Sequence, residues 1–183
     1  MKNLRFLTLV LCFGLVLNLG GCGFQLRGTE NNGVSESSLD SIHLTVNNRY
    51  GDLDRQLQYT FEDIGVNLVD RRSDTEYALE VTAERHIRRA VATTRTISVS
   101  EYEIRLEVDI VLTNKANTEL IPPMVLATER IYTFDSGSLV GSGEEEAVLL
   151  EEMRADIARQ ILHRVNAMVR SFEATGTSEG LSR

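Results

Sequence analysis

Four arginines, Arg85, Arg88, Arg89 and Arg95, fall within a short stretch in which Glu84 is the only adjacent acid. A guanidinium is planar and presents paired N–H donors, so it grips a phosphate or a carboxylate through two parallel bonds. The whole chain carries a formal charge of −8, from 19 basic and 27 acidic residues. A basic cluster on an acidic protein calls either for an anionic ligand or for neighbouring strand carboxylates, such as Glu101 and Glu103, to pair with it. Catalysis has less to work with. There is no Gly-x-Ser-x-Gly elbow and no Gly-rich phosphate loop, and His43, His86 and His163 are scattered rather than set at metal spacing. Glu144, Glu145, Glu146, Glu151 and Glu152 read as charges that complement the positive end of a helix. The expectation is a non-enzyme with no cofactor and no metal. The acidic balance also argues against nucleic acid as a partner.

A second reactive group stands at Cys22. Lys2 and Arg5 precede an apolar run from Phe6 to Leu19, which is short for a bilayer-spanning helix of about 20 residues. Residues 1–21 therefore read as an export signal. The run ends Leu19-Gly20-Gly21-Cys22, which resembles the lipobox of bacterial lipoproteins, where the thiol receives a diacylglycerol and the chain is cut just before it. Cys12 would leave with the signal and Cys22 would be consumed as a thioether. Each buried methylene adds about 0.8 kcal/mol, so three acyl chains anchor stably. Cleavage removes two basic residues and no acidic one, taking the charge of −8 to about −10.

These groups need elements to hold them. Residues 22–38 read as a lipidated start and polar tether, 39–171 as the folded domain and 172–183 as a flexible tail. Ile42, Leu44 and Val46 alternate as a short strand. Leu53, Leu57, Phe61 and Ile64 recur at helical spacing, with Gly65 as the C-terminal cap. Val66 to Val69 is a short apolar lead-in. Tyr77, Leu79, Val81 and Ala83 alternate as a second strand, which places the arginines around its connection to a third. That third strand is clearest: Tyr102, Ile104, Leu106, Val108, Ile110 and Leu112 face one way, and Glu101, Glu103, Arg105, Glu107 and Asp109 the other. A fourth strand runs from about Val125 to Phe134, with Pro122-Pro123 at its entry marking an edge or a bulge rather than a central position. Ser142 and Glu145 form a capping-box pattern ahead of a long helix over 144–169, striped by Leu150, Met153, Ile157, Ile161, Val165 and Met168. The order β-α-β-β-β-α predicts an α+β two-layer sandwich: about four mostly antiparallel strands with two helices on one face.

At Cys22-Gly23-Phe24-Gln25-Leu26-Arg27-Gly28 the chain resembles the start of the LPS-assembly lipoproteins of the LptE (RlpB) family. The resemblance continues in the element order, in Ser100-Glu101-Tyr102 opening the third strand, and in the long last helix. It covers roughly residues 22–171. It implies a lipoprotein of the cell outer membrane that works with the β-barrel LptD, helps it mature, plugs its lumen and binds lipopolysaccharide. The implied partners are thus LptD, lipopolysaccharide and outer-membrane lipid through acylated Cys22. Gly23 stands where enteric lipoproteins retained at the inner membrane carry Asp, which points outward. Counting back from Ser100-Glu101-Tyr102, Arg95 takes the place of a basic residue the family uses for lipopolysaccharide, with Arg85, Arg88 and Arg89 as further candidates. A second family position, in the loop before the last helix, has no counterpart, since Ser136 to Glu146 holds no Lys or Arg. A structural lipoprotein of another envelope assembly complex is the alternative class.

Overall fold

A computed structural model describes residues 39–93, 99–134 and 139–180. The signal at 1–21, Cys22, the tether at 22–38 and Arg95 lie outside the described residues.

Strand β1 (Ser41–Val46) opens the domain and buries Ile42 and Val46. Helix α1 (Asp52–Glu62) follows. Asp52 and Asp54 sit in its first turn, where the helix dipole favours negative charge. Asp54 is buried and its Oδ2 accepts the Tyr50 N–H at 2.8 Å. Leu53, Leu57 and Phe61 form its buried stripe. The helix ends at Glu62, and the turn that closes it reaches Gly65, whose φ of 82° only a residue without Cβ adopts cheaply. The Val66 N–H then reaches back to the Phe61 carbonyl at 3.1 Å, satisfying an end carbonyl of the helix.

The apolar lead-in at Val66 to Val69 contains a fifth strand, β2 (Asn67–Leu68), which pairs parallel with β1. A single 3-10 turn (Arg72–Asp74) leads to β3 (Tyr77–Thr93), then β4 (Val99–Asn114) and β5 (Glu119–Thr133). The sheet order is β2-β1-β3-β4-β5. β1 lies parallel to β3, while β3, β4 and β5 are antiparallel. β5 is an edge strand, in keeping with the prolines near its start. Asn114 closes the β4–β5 turn: its Oδ1 accepts the Ala116 and Thr118 N–H groups at 3.0 and 2.9 Å.

Helix α2 (Leu139–Gly180) is longer than the periodicity predicts. It begins before Ser142, which therefore lies inside the helix rather than capping it. Its backbone also continues through residues 172–180, where small polar composition suggested a loose tail. Near this end the Tyr77 hydroxyl donates to Glu173 Oε1 at 3.2 Å.

Ile104, Leu106, Val108, Ile110 and Leu112 of β4 are fully buried in one core with Leu53, Leu57 and Phe61 of α1 and with Met153, Ile157, Ile161, Val165 and Val169 of α2. Both helices thus cover the same sheet face, and each such side chain contributes about 1.5–3 kcal/mol on burial. The result is the α+β two-layer sandwich that the sequence predicts. The other sheet face carries the polar row of β4.

Candidate functional site

The second strand does not stop at Ala83. β3 stays paired with β4 as far as Thr93 opposite Val99, so Arg85, Arg88 and Arg89 lie within a strand and not in the connection where the sequence placed them. What extends the strand is cross-strand pairing of unlike charges, which supports a ladder where hydrophobic alternation has run out.

A bulge decides which way each arginine points. Leu79 stands opposite Leu112 and Val81 opposite Ile110, but the register then shifts and Ala83 stands opposite Asp109. Odd-numbered residues face the helices before this shift and the open face after it, as expected where one extra residue enters a strand. Arg85 consequently lies opposite Glu107, and Arg89 opposite Glu103. His86 and Arg88 turn toward the helices, opposite Leu106 and Ile104.

On the open face the charges interlock. Arg85 donates through Nε and Nη2 to Glu107 Oε2, both at 3.2 Å, and through Nη1 and Nη2 to Asp109 at 2.6 and 2.9 Å. Arg89 holds Glu103 through two parallel bonds of 2.6 and 3.0 Å. Arg105, which the sequence reading left as one more polar residue of the row, donates to Glu107 Oε1 at 2.7 Å and also pairs with Glu129. The signal for its role was present as the lone cation between Glu103 and Glu107. The hydrogen bond from Arg89 holds the Glu103 carboxyl below the usual range, those from Arg105 and Arg85 do the same for Glu107, and that from Arg85 for Asp109. Ile87, Arg89, Glu103, Arg105 and Glu129 line a hollow of about 150 Å³ in this face. With Ile87, Val125 and Ile131 exposed beside the ladder, the face is a mixed ionic and apolar surface.

On the helix side, Arg154 of α2 donates through Nε to Glu84 at 2.8 Å and lies 3.4 Å from Asp52 of α1, tying both helices to β3. Further along, Arg88 Nη1 donates to Glu146 Oε2 at 2.9 Å, and the Tyr132 hydroxyl donates to the same oxygen at 2.6 Å. His86 Nε2 lies 3.4 Å from Glu146 Oε1. The Arg88 guanidinium sits over the Tyr102 ring at 4.5 Å, and Tyr102 in turn stacks on Tyr132 and meets Phe134 edge-on. Burial pushes the Glu146 carboxyl up, but hydrogen bonds from Tyr132 and Arg88 outweigh it and leave the group below its ordinary value. Glu146 is therefore a junction of β3, β5 and α2, where the sequence suggested a solvated helix-start charge.

Three of the four candidate arginines are thus described, two on one face of β3 and one on the other. Among the described residues no group of three or more His, Cys, Asp or Glu side chains is placed to hold a metal ion. No helix among the described residues is long and apolar enough to cross a membrane.

The fold defines a class first. The domain is similar to that of the rare lipoprotein B from Shewanella oneidensis, with a TM-score of 0.66 at 22% identity, covering 73% of this chain and 98% of that one. It is likewise similar to the lipoprotein B from Nitrosomonas europaea, with a TM-score of 0.66 at 23% identity, covering 81% and 93%. These likenesses establish a shared two-layer fold. Sequence narrows the class: residues 39–165 match the family described as LptE, lipopolysaccharide-assembly, and the chain belongs to that family. It is also 25% identical over 166 residues to the LPS-assembly lipoprotein LptE of Pectobacterium atrosepticum, covering 88% of this chain and 85% of that protein.

Proposed function

We propose that the protein is an outer-membrane lipoprotein that, with the β-barrel LptD, delivers lipopolysaccharide to the cell surface. In this reading acylated Cys22 anchors the chain, residues 23–38 tether it, and the α+β domain supports LptD maturation, plugs its lumen and binds lipopolysaccharide. The observation that carries the reading is the family match across residues 39–165, nearly the whole folded domain. The lipobox at Leu19-Gly20-Gly21-Cys22 supports the anchor, and Gly23 supports the outer destination. Arg95 and Arg88 are the phosphate contacts this reading favours, since charge-assisted bonds to a guanidinium are roughly twice as strong as neutral ones, and Arg85 and Arg89, already held by Glu107, Asp109 and Glu103, are secondary candidates.

Two measurements on the native protein test the proposal. Its intact mass must correspond to a chain starting at acylated Cys22, and an unmodified chain from Met1 refutes the anchor. Purification from detergent-solubilised membranes must bring down a single large barrel protein. Recovery with an outer-membrane protein insertion complex in its place refutes the LptD assignment.

A further inference from the structure

Arg88 differs from its neighbours in what holds it. Arg85 is fixed by four hydrogen bonds to two carboxylates. Arg89 is fixed by two bonds to Glu103, which stands directly across the ladder. An incoming anion would have to unpair carboxylates whose own backbones are locked into the sheet. Arg88 meets one carboxylate among the described residues, Glu146, and that group comes from helix α2. Its side chain can swing away about its own rotamers without disturbing a strand.

Two donors converge on the Glu146 carboxylate, Arg88 Nη1 at 2.9 Å and the Tyr132 hydroxyl at 2.6 Å, and His86 Nε2 lies 3.4 Å from its other oxygen. Behind them lies an aromatic floor made by Tyr102, Tyr132 and Phe134. The Glu146 side chain is only 14% exposed, whereas that of Arg88 is 46% exposed. The arginine is therefore partly open to solvent while it holds the carboxylate. A cation and a hydroxyl donor suit a phosphate, whose oxygens they take, and the half-buried Tyr102 and Phe134 beside them suit the sugar that carries it, while Tyr132 itself is buried.

We propose that the Glu146 carboxylate occupies the phosphate subsite formed by Arg88, His86 and Tyr132, and that a phosphorylated sugar headgroup binds there by displacing it. The proposal rests on the lipopolysaccharide-binding reading and deepens it. Glu146 acts as an internal competitor: it satisfies the donors while the subsite is empty and sets a threshold that an anion of lower charge or poorer fit does not pass.

The test measures binding of purified lipopolysaccharide to the full-length protein in detergent, at low and moderate salt. Glu146→Gln keeps the shape and still accepts the Tyr132 hydroxyl but lacks the charge. It is expected to raise affinity about tenfold, the scale of one charge-assisted hydrogen bond. The gain must vanish when Arg88→Gln is added, and must be absent with dephosphorylated lipopolysaccharide. Glu146→Asp withdraws the carboxylate by one methylene and is expected to give a smaller gain, which keeps the test open if Glu146→Gln folds poorly. Inorganic phosphate competing against the lipid assigns the subsite to phosphate alone; competition only from the phosphorylated lipid assigns it to the whole headgroup. Either pattern supports the subsite. No gain in either Glu146 variant, or a gain that survives loss of Arg88, overturns it. If the native protein binds lipopolysaccharide without any gain on Glu146 substitution, the subsite fails alone. If neither native protein nor variants bind, the binding function fails with it.

Discussion

Arg85 stands opposite Glu107 in the β3–β4 register and also reaches Asp109, the next carboxylate on the same face of β4. One guanidinium thus neutralises two acidic positions that would otherwise repel each other along the strand. Arg105 extends the chain from Glu107 to Glu129 of β5, so the open sheet face is held by a run of alternating charge across three strands.

This ladder makes acid stability a property of the open face. Glu103, Glu107 and Asp109 each have a folded pKa below the ordinary carboxylate value, through hydrogen bonds from Arg89, from Arg105 and Arg85, and from Arg85 respectively. A lowered folded pKa means that the contribution is present above the unfolded value of about 4 and is lost as pH falls through the folded one. Thermal midpoints should hold steady from neutral pH to about pH 5 and drop below about pH 4. In an Arg85→Gln, Arg105→Gln double variant the drop should be shallower, because there is less left to lose. An equally steep drop in that variant refutes the linkage.

The hydrophobic alternation of β4 and the stripe of α2 were enough to read the layers, because Ile104 to Leu112 and Met153 to Val169 repeat at strand and helix periods. The β3 arginines were not legible in the same way. Strict alternation puts Arg85 and Arg89 in phase with Leu79 and Val81, and only the bulge before Ala83 turns them to the open face. Local pattern carries no signal for such a shift, since it is set by pairing with β4. Glu146 was hidden for a related reason, as its partners Arg88, His86 and Tyr132 come from two distant strands.

The core prediction concerns α2. Ile157 is fully buried in the cluster that joins both helices to the sheet. Ile157→Ala should cost about 2–5 kcal/mol, from lost transfer energy and a cavity that closes only in part. Urea unfolding of the purified protein measures it. A loss under about 0.5 kcal/mol, the range of a surface substitution, contradicts the packing described.

Tyr77 offers a spectroscopic check of the α2 end. Burial, followed by the nearby Glu173 charge and the hydrogen bond to it, pushes the phenol up to about 12. Absorbance titration should show this phenol ionising well after an ordinary tyrosine near 10, and Tyr77→Phe should remove the late step. Because the folded pKa is raised, the neutral phenol's contribution is present below about 10 and lost as pH rises toward 12. Loss of the tie at Glu173→Gln should bring the titration down.

If Arg95 contacts lipopolysaccharide as proposed, Arg95→Asp should weaken that binding roughly ten- to a hundredfold, the value of one charge-assisted bond of about 1.5–3 kcal/mol. Arg95→Lys should fall between, since charge remains but the fork is lost. Unchanged affinity in an Arg85, Arg88, Arg89 and Arg95 quadruple variant would show that the cluster does not serve the ligand.

The central claim is that this lipoprotein serves LptD in lipopolysaccharide assembly. Depleting it in its native host and following LptD by heat-modifiable gel mobility, together with surface lipopolysaccharide, tests that claim most directly. The expected result is a fall in correctly folded LptD accompanied by loss of newly exported lipopolysaccharide, both restored by the wild-type chain. Normal folded LptD with normal lipopolysaccharide export in the depleted cells would contradict it.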